Sequence, residues 1–214
     1  MDATVTVTAV EDVGPNTVVI RFESPAGFEA LPGQFVRLSA EIAGEGYDRF
    51  YTLSSPGVVD TFELTIGVDP EEGGPFSGYL ASLEPGDGVE MSGPFGDAHY
   101  EGEARSVVLA GGPGVGPAVG IAERALDDGN EAAVVYRYDG DAPAHEGRLD
   151  ALRQRGGEVV ITGGEIDEAV AEALTGDGDE QAFVYGFAEF IEQGLEAIRT
   201  AGVDTDTAKV ENFG

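Results

Sequence analysis

Along the first hundred residues, apolar positions recur with a period of two. Residues 4–10 alternate small polar and apolar side chains, residues 17–23 are rich in β-branched ones, and residues 34–40 and 62–68 alternate again. Gly14-Pro15-Asn16, Pro25-Ala26-Gly27 and Pro32-Gly33 stand between these runs as turns. Short, evenly spaced strands predict a small antiparallel barrel. A single short helix is expected within it, over residues 77–83. Glu84-Pro85-Gly86-Asp87 ends that helix and leads into a strand at 89–92.

Near Arg105 the period changes. Strands are expected at 106–110, 132–136, 158–162, 182–185 and 208–213, and helices at 117–126, 145–155, 166–174 and 188–201. Strand–helix alternation at this spacing predicts a parallel sheet flanked by helices. The chain therefore divides into a β-barrel domain over 1–102 and an α/β domain over 103–214. No internal repeat is present.

Composition narrows the function classes. Eleven basic residues face 41 acidic ones, for a net charge of −30, and Lys209 is the single lysine. Self-repulsion of this size opposes compaction at ordinary ionic strength and is screened in molar salt. The acidic residues are spread along the chain, the pattern expected of a halophile's protein. With no basic patch to neutralise phosphates, nucleic acid is not an expected partner. The chain has no cysteine, which excludes disulfides, cysteine-bound iron–sulfur clusters and a thiol nucleophile in this chain. Its two histidines, His99 and His145, read as surface residues, and no metal site is expected. No apolar run approaches the roughly 20 residues of a membrane span. The N-terminus lacks signal-peptide blocks, so a cytoplasmic location is expected.

Five constellations carry candidate chemistry. In Arg49-Phe50-Tyr51-Thr52-Leu53-Ser54-Ser55, an arginine can hold a pyrophosphate bidentately, a tyrosine can stack on a flat ring, and hydroxyls can bond ring nitrogens. Gly74-Pro75-Phe76-Ser77 opens a helix and offers backbone N–H groups to an anion. Gly111-Gly112-Pro113-Gly114-Val115-Gly116 follows a buried strand and opens another helix, the context in which a pyrophosphate approaches backbone. Tyr185-Gly186 ends an apolar strand. Glu211-Asn212-Phe213 ends the last strand. Tyr136 closes the second parallel strand, and Arg137, Asp139 and Asp141 follow it, where dinucleotide folds read the adenosine ribose.

In this order the motifs resemble those of the ferredoxin–NADP reductase family over about residues 4–213. The resemblance implies a six-stranded antiparallel FAD-binding barrel followed by a parallel-sheet NAD(P)-binding domain. It implies that Arg49 holds the FAD pyrophosphate, that Tyr51 packs on the isoalloxazine, and that Thr52 approaches its reactive N5. Gly74 to Ser77 would cradle the FAD phosphates. Gly86-Asp87 and Gly93-Pro94-Phe95-Gly96 match the family's exit from the barrel and read as turns. The Gly111–Gly116 loop would receive NAD(P)H, Glu211 would relay a proton or orient the nicotinamide, and Phe213 would shield the flavin.

Two residues depart from the pattern. Pro113 replaces a threonine and supplies neither hydroxyl nor N–H. Tyr185 stands where the family has a cysteine beside the hydride-transfer position, and a phenol there would crowd the nicotinamide. The implied activity is electron exchange between NAD(P)H and a separate one-electron carrier: a ferredoxin, a flavodoxin, a haem protein or an oxygenase component. The two departures support an alternative, an FAD-carrying electron-transfer or regulatory subunit that has lost efficient NAD(P)H use. A flavin-free binding module would require Arg49, Tyr51 and Ser77 to be coincidental.

Overall fold

The computed structural model describes residues 1–68 and 74–214. The N-terminal half is an antiparallel sheet of six strands: β1 (Asp2–Gly14), β2 (Thr17–Glu23), β3 (Phe35–Ile42), β4 (Glu45–Thr52), β5 (Thr61–Gly67) and β6 (Gly88–Phe95). Their order is β4-β3-β6-β1-β2-β5. The two edge strands meet where the chain leaves β4: Leu53 bridges Leu64, and the Ser54 N–H donates to the Glu63 carbonyl (2.8 Å). That contact joins the two edge strands at one end and curls the sheet into a barrel. Alternate residues fill the interior, with Ile20, Phe22, Val36, Leu38, Phe62 and Leu64 each fully buried. The short helix α1 (Pro75–Ala81) caps this core with Phe76 and Leu80. It begins two residues before the expected start, because proline fits the first helical position, where an N–H would have no partner.

The C-terminal half is a parallel sheet of β7 (Arg105–Gly111), β8 (Glu131–Arg137), β9 (Glu158–Thr162), β10 (Glu180–Gly186) and β11 (Lys209–Asn212), in the order β11-β10-β7-β8-β9. Helices α2 (Val115–Asp127) and α3 (Glu146–Gln154) cover one face, and α4 (Asp167–Ala173) and α5 (Ala188–Thr200) the other. Strand β7 is buried on both sides, which explains its continuous apolar run: Val108 and Ala110 face α2, while Val107 and Leu109 face α5. The chain runs from β7 to β8 and β9 on one side, then returns to β10 and β11 on the other. The reversal lies between β7 and β10, and in open α/β sheets ligands bind in the crevice at such a point.

Among the contacts that tie the two halves are three made by charged or buried polar side chains. Lys209 donates to the carbonyl of His99 and to Glu101 and Glu103, at 2.6–2.8 Å, pinning the connecting segment to β11. Arg148 donates to Glu123 (2.6 Å), to the Ser54 carbonyl (2.8 Å) and to Glu63 (3.3 Å). The third tie corrects the reading of the histidines as surface residues. His145 is buried at the start of α3, in left-handed backbone (φ 56°), with Nε2 2.9 Å from Thr65 Oγ1 of the barrel. Burial, reinforced by the Arg148 charge, pushes its pKa down to about 3, so the ring is neutral. His99 is half-buried, its Nδ1 against the Gly96 carbonyl.

Candidate functional site

A cleft of about 820 Å³ opens between the halves. Its barrel wall comprises β4 from Arg49 to Thr52, the end of β5, the β1–β2 turn and the start of α1. Its other wall is the C-terminal end of the parallel sheet at the switch point, completed by Phe213. The size is that of ordinary small-molecule sites, roughly 300–1,000 Å³.

The barrel wall is aromatic and carries one cation. The Tyr51 ring stacks on Phe76 (centroids 6.3 Å, 27°), which stacks in turn on Tyr47 and Tyr79. Burial pushes the Tyr51 phenol up to about 12, and the nearby Arg49 charge offsets this only in part, so the ring is neutral. Arg49 is exposed and donates to the Asp48 carbonyl (2.7 Å). Phe50 is 62% exposed at the mouth, and the nearly buried Thr52 lines the cleft floor. At the start of α1, Gly74, Phe76 and Ser77 line the cleft; the Ser77 hydroxyl donates to the Gly74 carbonyl (2.9 Å), and Pro75 stays outside.

Leu53 and Ser54, expected at the cofactor, are turned away. Where the chain crosses to β5, Leu53 enters the barrel core. The Ser54 hydroxyl bonds Thr65 Oγ1 (2.7 Å) at the interface between the halves.

The glycine-rich loop divides in the same way. Gly111, Gly112 and Pro113 line the cleft, with Gly112 in left-handed backbone (φ 53°). Gly114, Val115 and Gly116 do not. A Cβ at Gly114 would collide with the Tyr185 carbonyl, and one at Gly116 would sit 2.5 Å from both Ser54 Oγ and Thr65 Oγ1. Val115, the first residue of α2, is fully buried. These glycines are there for close packing, which is also why the loop can run so near the sheet and the barrel.

Tyr185 is the largest correction. Its ring is fully buried against Phe183 on the α2 face, and its hydroxyl donates to the Ala98 carbonyl of the connecting segment. It does not line the cleft. Gly186 is also buried and outside the cleft wall, though its carbonyl accepts the Phe213 N–H (3.0 Å). Glu211 pairs with Tyr185 in the sheet and is half-buried; burial pushes its carboxyl up, and it lies outside the cleft wall. Phe213 does reach the cleft, edge-on to the exposed Phe187 (6.1 Å, 86°).

Several lining residues had no local signal. Thr65 faces the cleft because barrel closure sets β5 beside β4. Asn16 belongs to a turn that the sequence marks only as a turn. Glu189 sits in the first turn of α5; Phe187, which follows Tyr185-Gly186 in the sequence motif, stands at the N-cap of that helix and also lines the cleft. Tyr136 lines the cleft as expected, with Arg137, Asp139 and Asp141 beside it.

The arrangement fits a flavin dinucleotide on the barrel wall: Arg49, Tyr51 and the buried Thr52 hydroxyl stand on β4, and Phe76 of α1 stacks on Tyr51. It fits a second dinucleotide on the facing wall, where Gly111, Gly112 and Pro113 bring backbone to the cleft at the switch point of the parallel sheet. Among the described residues no cluster could hold a metal ion, and no helix is long and apolar enough to cross a membrane.

Comparison with known proteins agrees with this geometry. Residues 4–100 match the family model of the oxidoreductase FAD-binding domain. A probable dihydroorotate dehydrogenase B (NAD(+)) electron transfer subunit of Methanopyrus kandleri is 40% identical over 108 residues, covering 50% of this chain and 38% of that protein. The reductase component of propane 2-monooxygenase from Rhodococcus jostii is 24% identical over 99% of this chain and 64% of its own length. The chain thus spans less than two thirds of these relatives. A ferredoxin NADP+ reductase from Neisseria gonorrhoeae superposes with a TM-score of 0.82 at 18% identity, over 100% of this chain and 99% of that one. The chain has the two-domain fold seen in that ferredoxin NADP+ reductase, and its residues 4–100 are similar to the oxidoreductase FAD-binding domain.

Proposed function

We propose that the chain is an FAD-dependent oxidoreductase that exchanges electrons between NAD(P)H and a separate one-electron carrier. The observation that carries this reading is the cleft, which sets Arg49-Phe50-Tyr51-Thr52 opposite Gly111-Gly112-Pro113 at the switch point of the parallel sheet. A bound flavin supplies the link between two-electron hydride chemistry and single-electron release. The protein's part is placement. Arg49 holds the pyrophosphate, Tyr51 supports the ring, and Thr52 presents a hydroxyl to the ring edge. Gly74 and Ser77 meet the flavin phosphates, Gly111 to Pro113 receive the nicotinamide dinucleotide, and Phe213 covers the flavin from solvent. We assign residues 1–102 to the FAD domain and 103–214 to the NAD(P) domain. The names of the relatives and structural neighbours support a haem protein, a ferredoxin or an oxygenase component as the carrier; a flavodoxin rests on the sequence resemblance alone. The acidity supports a high-salt cytoplasm as the working medium.

A second reading, a flavin carrier without efficient NAD(P)H use, rests on Pro113 alone now that Tyr185 lies outside the cleft. The first test is binding and turnover. The purified protein is expected to hold FAD and to pass electrons from NAD(P)H to ferricyanide. Arg49→Ala is expected to weaken FAD binding about ten- to a hundredfold, the loss of a charge-assisted contact worth about 1.5–3 kcal/mol. Equal affinity in the two proteins would overturn the role of Arg49.

A further inference from the structure

We propose that this cleft selects NADH over NADPH, through the charge of the wall where the adenosine ribose lies. The inference rests on reading the cleft as a nicotinamide dinucleotide site. In the parallel sheet Gly111 of β7 stands in register with Arg137 of β8. A pyrophosphate at Gly111 to Pro113 therefore places the adenosine half over the end of β8, the arrangement general to dinucleotide folds. The residues that line the cleft there are Arg137, Asp139 and Asp141, and Glu189 in the first turn of α5 lines the same cleft.

One positive charge and three negative ones occupy this stretch. The positive one is already engaged: Arg137 donates to the Gln193 side chain and, at 3.4 Å, to Asp139. A 2′-phosphate would bring nearly two further negative charges at neutral pH. It would meet carboxylates, and the arginine suited to a bidentate phosphate contact is held back by Asp139. A free ribose diol reverses the balance, since a carboxylate accepts hydrogen bonds from its hydroxyls. The sequence could not carry this conclusion, because aspartate is common throughout the chain. The structure carries it by placing these two on the wall of the cleft. Both are exposed, so the discrimination is moderate and falls as salt rises.

The test is calorimetric titration of the FAD-loaded protein with NAD+ and with NADP+, repeated on Asp139→Ser/Asp141→Ser. NAD+ is expected to bind about tenfold tighter or better in the wild type. The double change is expected to narrow the ratio, chiefly by tightening NADP+. Both side chains are exposed, so the variant is expected to melt with the wild type. NADP+ binding as tightly as NAD+ to the wild type would overturn the selection. An unchanged ratio in the variant would overturn its assignment to the two aspartates. Binding of neither nucleotide would overturn the nicotinamide reading itself, and this inference with it.

Discussion

At the scale of single residues, side-chain direction decides what the motifs can mean. Arg49, Tyr51 and Thr52 reach the cleft, whereas Leu53 and Ser54, in the same run, face the barrel core and the domain interface. The residue types of the motif were legible in the sequence; the point at which the strand turns inward was not, because the Leu53–Leu64 bridge is a long-range contact. Tyr185 shows the same limit. Its position in the motif pointed to the nicotinamide, but its hydroxyl found the Ala98 carbonyl, and the ring followed it into the interior. Tyr185→Phe is therefore expected to cost about 1 kcal/mol of stability, the net worth of one buried hydrogen bond. It is expected to leave the flavin spectrum and the rate of flavin reduction unchanged. A slowed reduction with unchanged stability would restore Tyr185 to the reacting site.

At the scale of elements, apolar periodicity was a sufficient guide. The period of two gave the barrel strands and the strand–helix alternation gave the parallel sheet, because each element buries one face or both. What periodicity lacks is how elements meet. Helix α2 approaches the barrel so closely that Gly116 has no room for a Cβ, and α3 begins with a buried imidazole bonded to Thr65. The second contact has a pH signature. His145 is held neutral with its pKa near 3, whereas the unfolded chain takes up the proton near 6.5. Between these values the unfolded state binds more protons, so this group's contribution falls as pH drops from about 6.5 towards 3 and is fully retained above. A shift of this size corresponds to a few kcal/mol. His145→Gln keeps a hydrogen-bonding side chain and removes the titration. Denaturant melts of the two proteins are expected to diverge progressively below pH 6.5. Parallel stability curves over that range would show that His145 is not a protonation-sensitive tie.

At the scale of the whole molecule, charge is the dominant feature. Most cations lie in ion pairs: Arg105 gathers Glu131, Glu158 and Glu180, while Arg148 and Lys209 tie the two halves together. The remaining acidic excess faces solvent and repels itself. The Debye length falls from about 10 Å at 0.1 M to about 3 Å at 1 M salt, so added KCl relieves that repulsion at little cost to partly buried pairs. The melting temperature is expected to rise steeply from low salt to molar KCl. A temperature independent of KCl would mean that the acidity is not an adaptation to salt.

The placement of the two dinucleotide walls face to face makes a direct claim about electron flow between them. Anaerobic addition of NADH to the FAD-loaded protein in concentrated KCl, followed by the visible flavin absorbance, tests it most directly. The flavin is expected to bleach with about one equivalent of NADH and to recover its colour on addition of ferricyanide. A flavin that stays oxidised under excess NADH and excess NADPH, yet bleaches with dithionite, would contradict the account and leave a flavin carrier in its place.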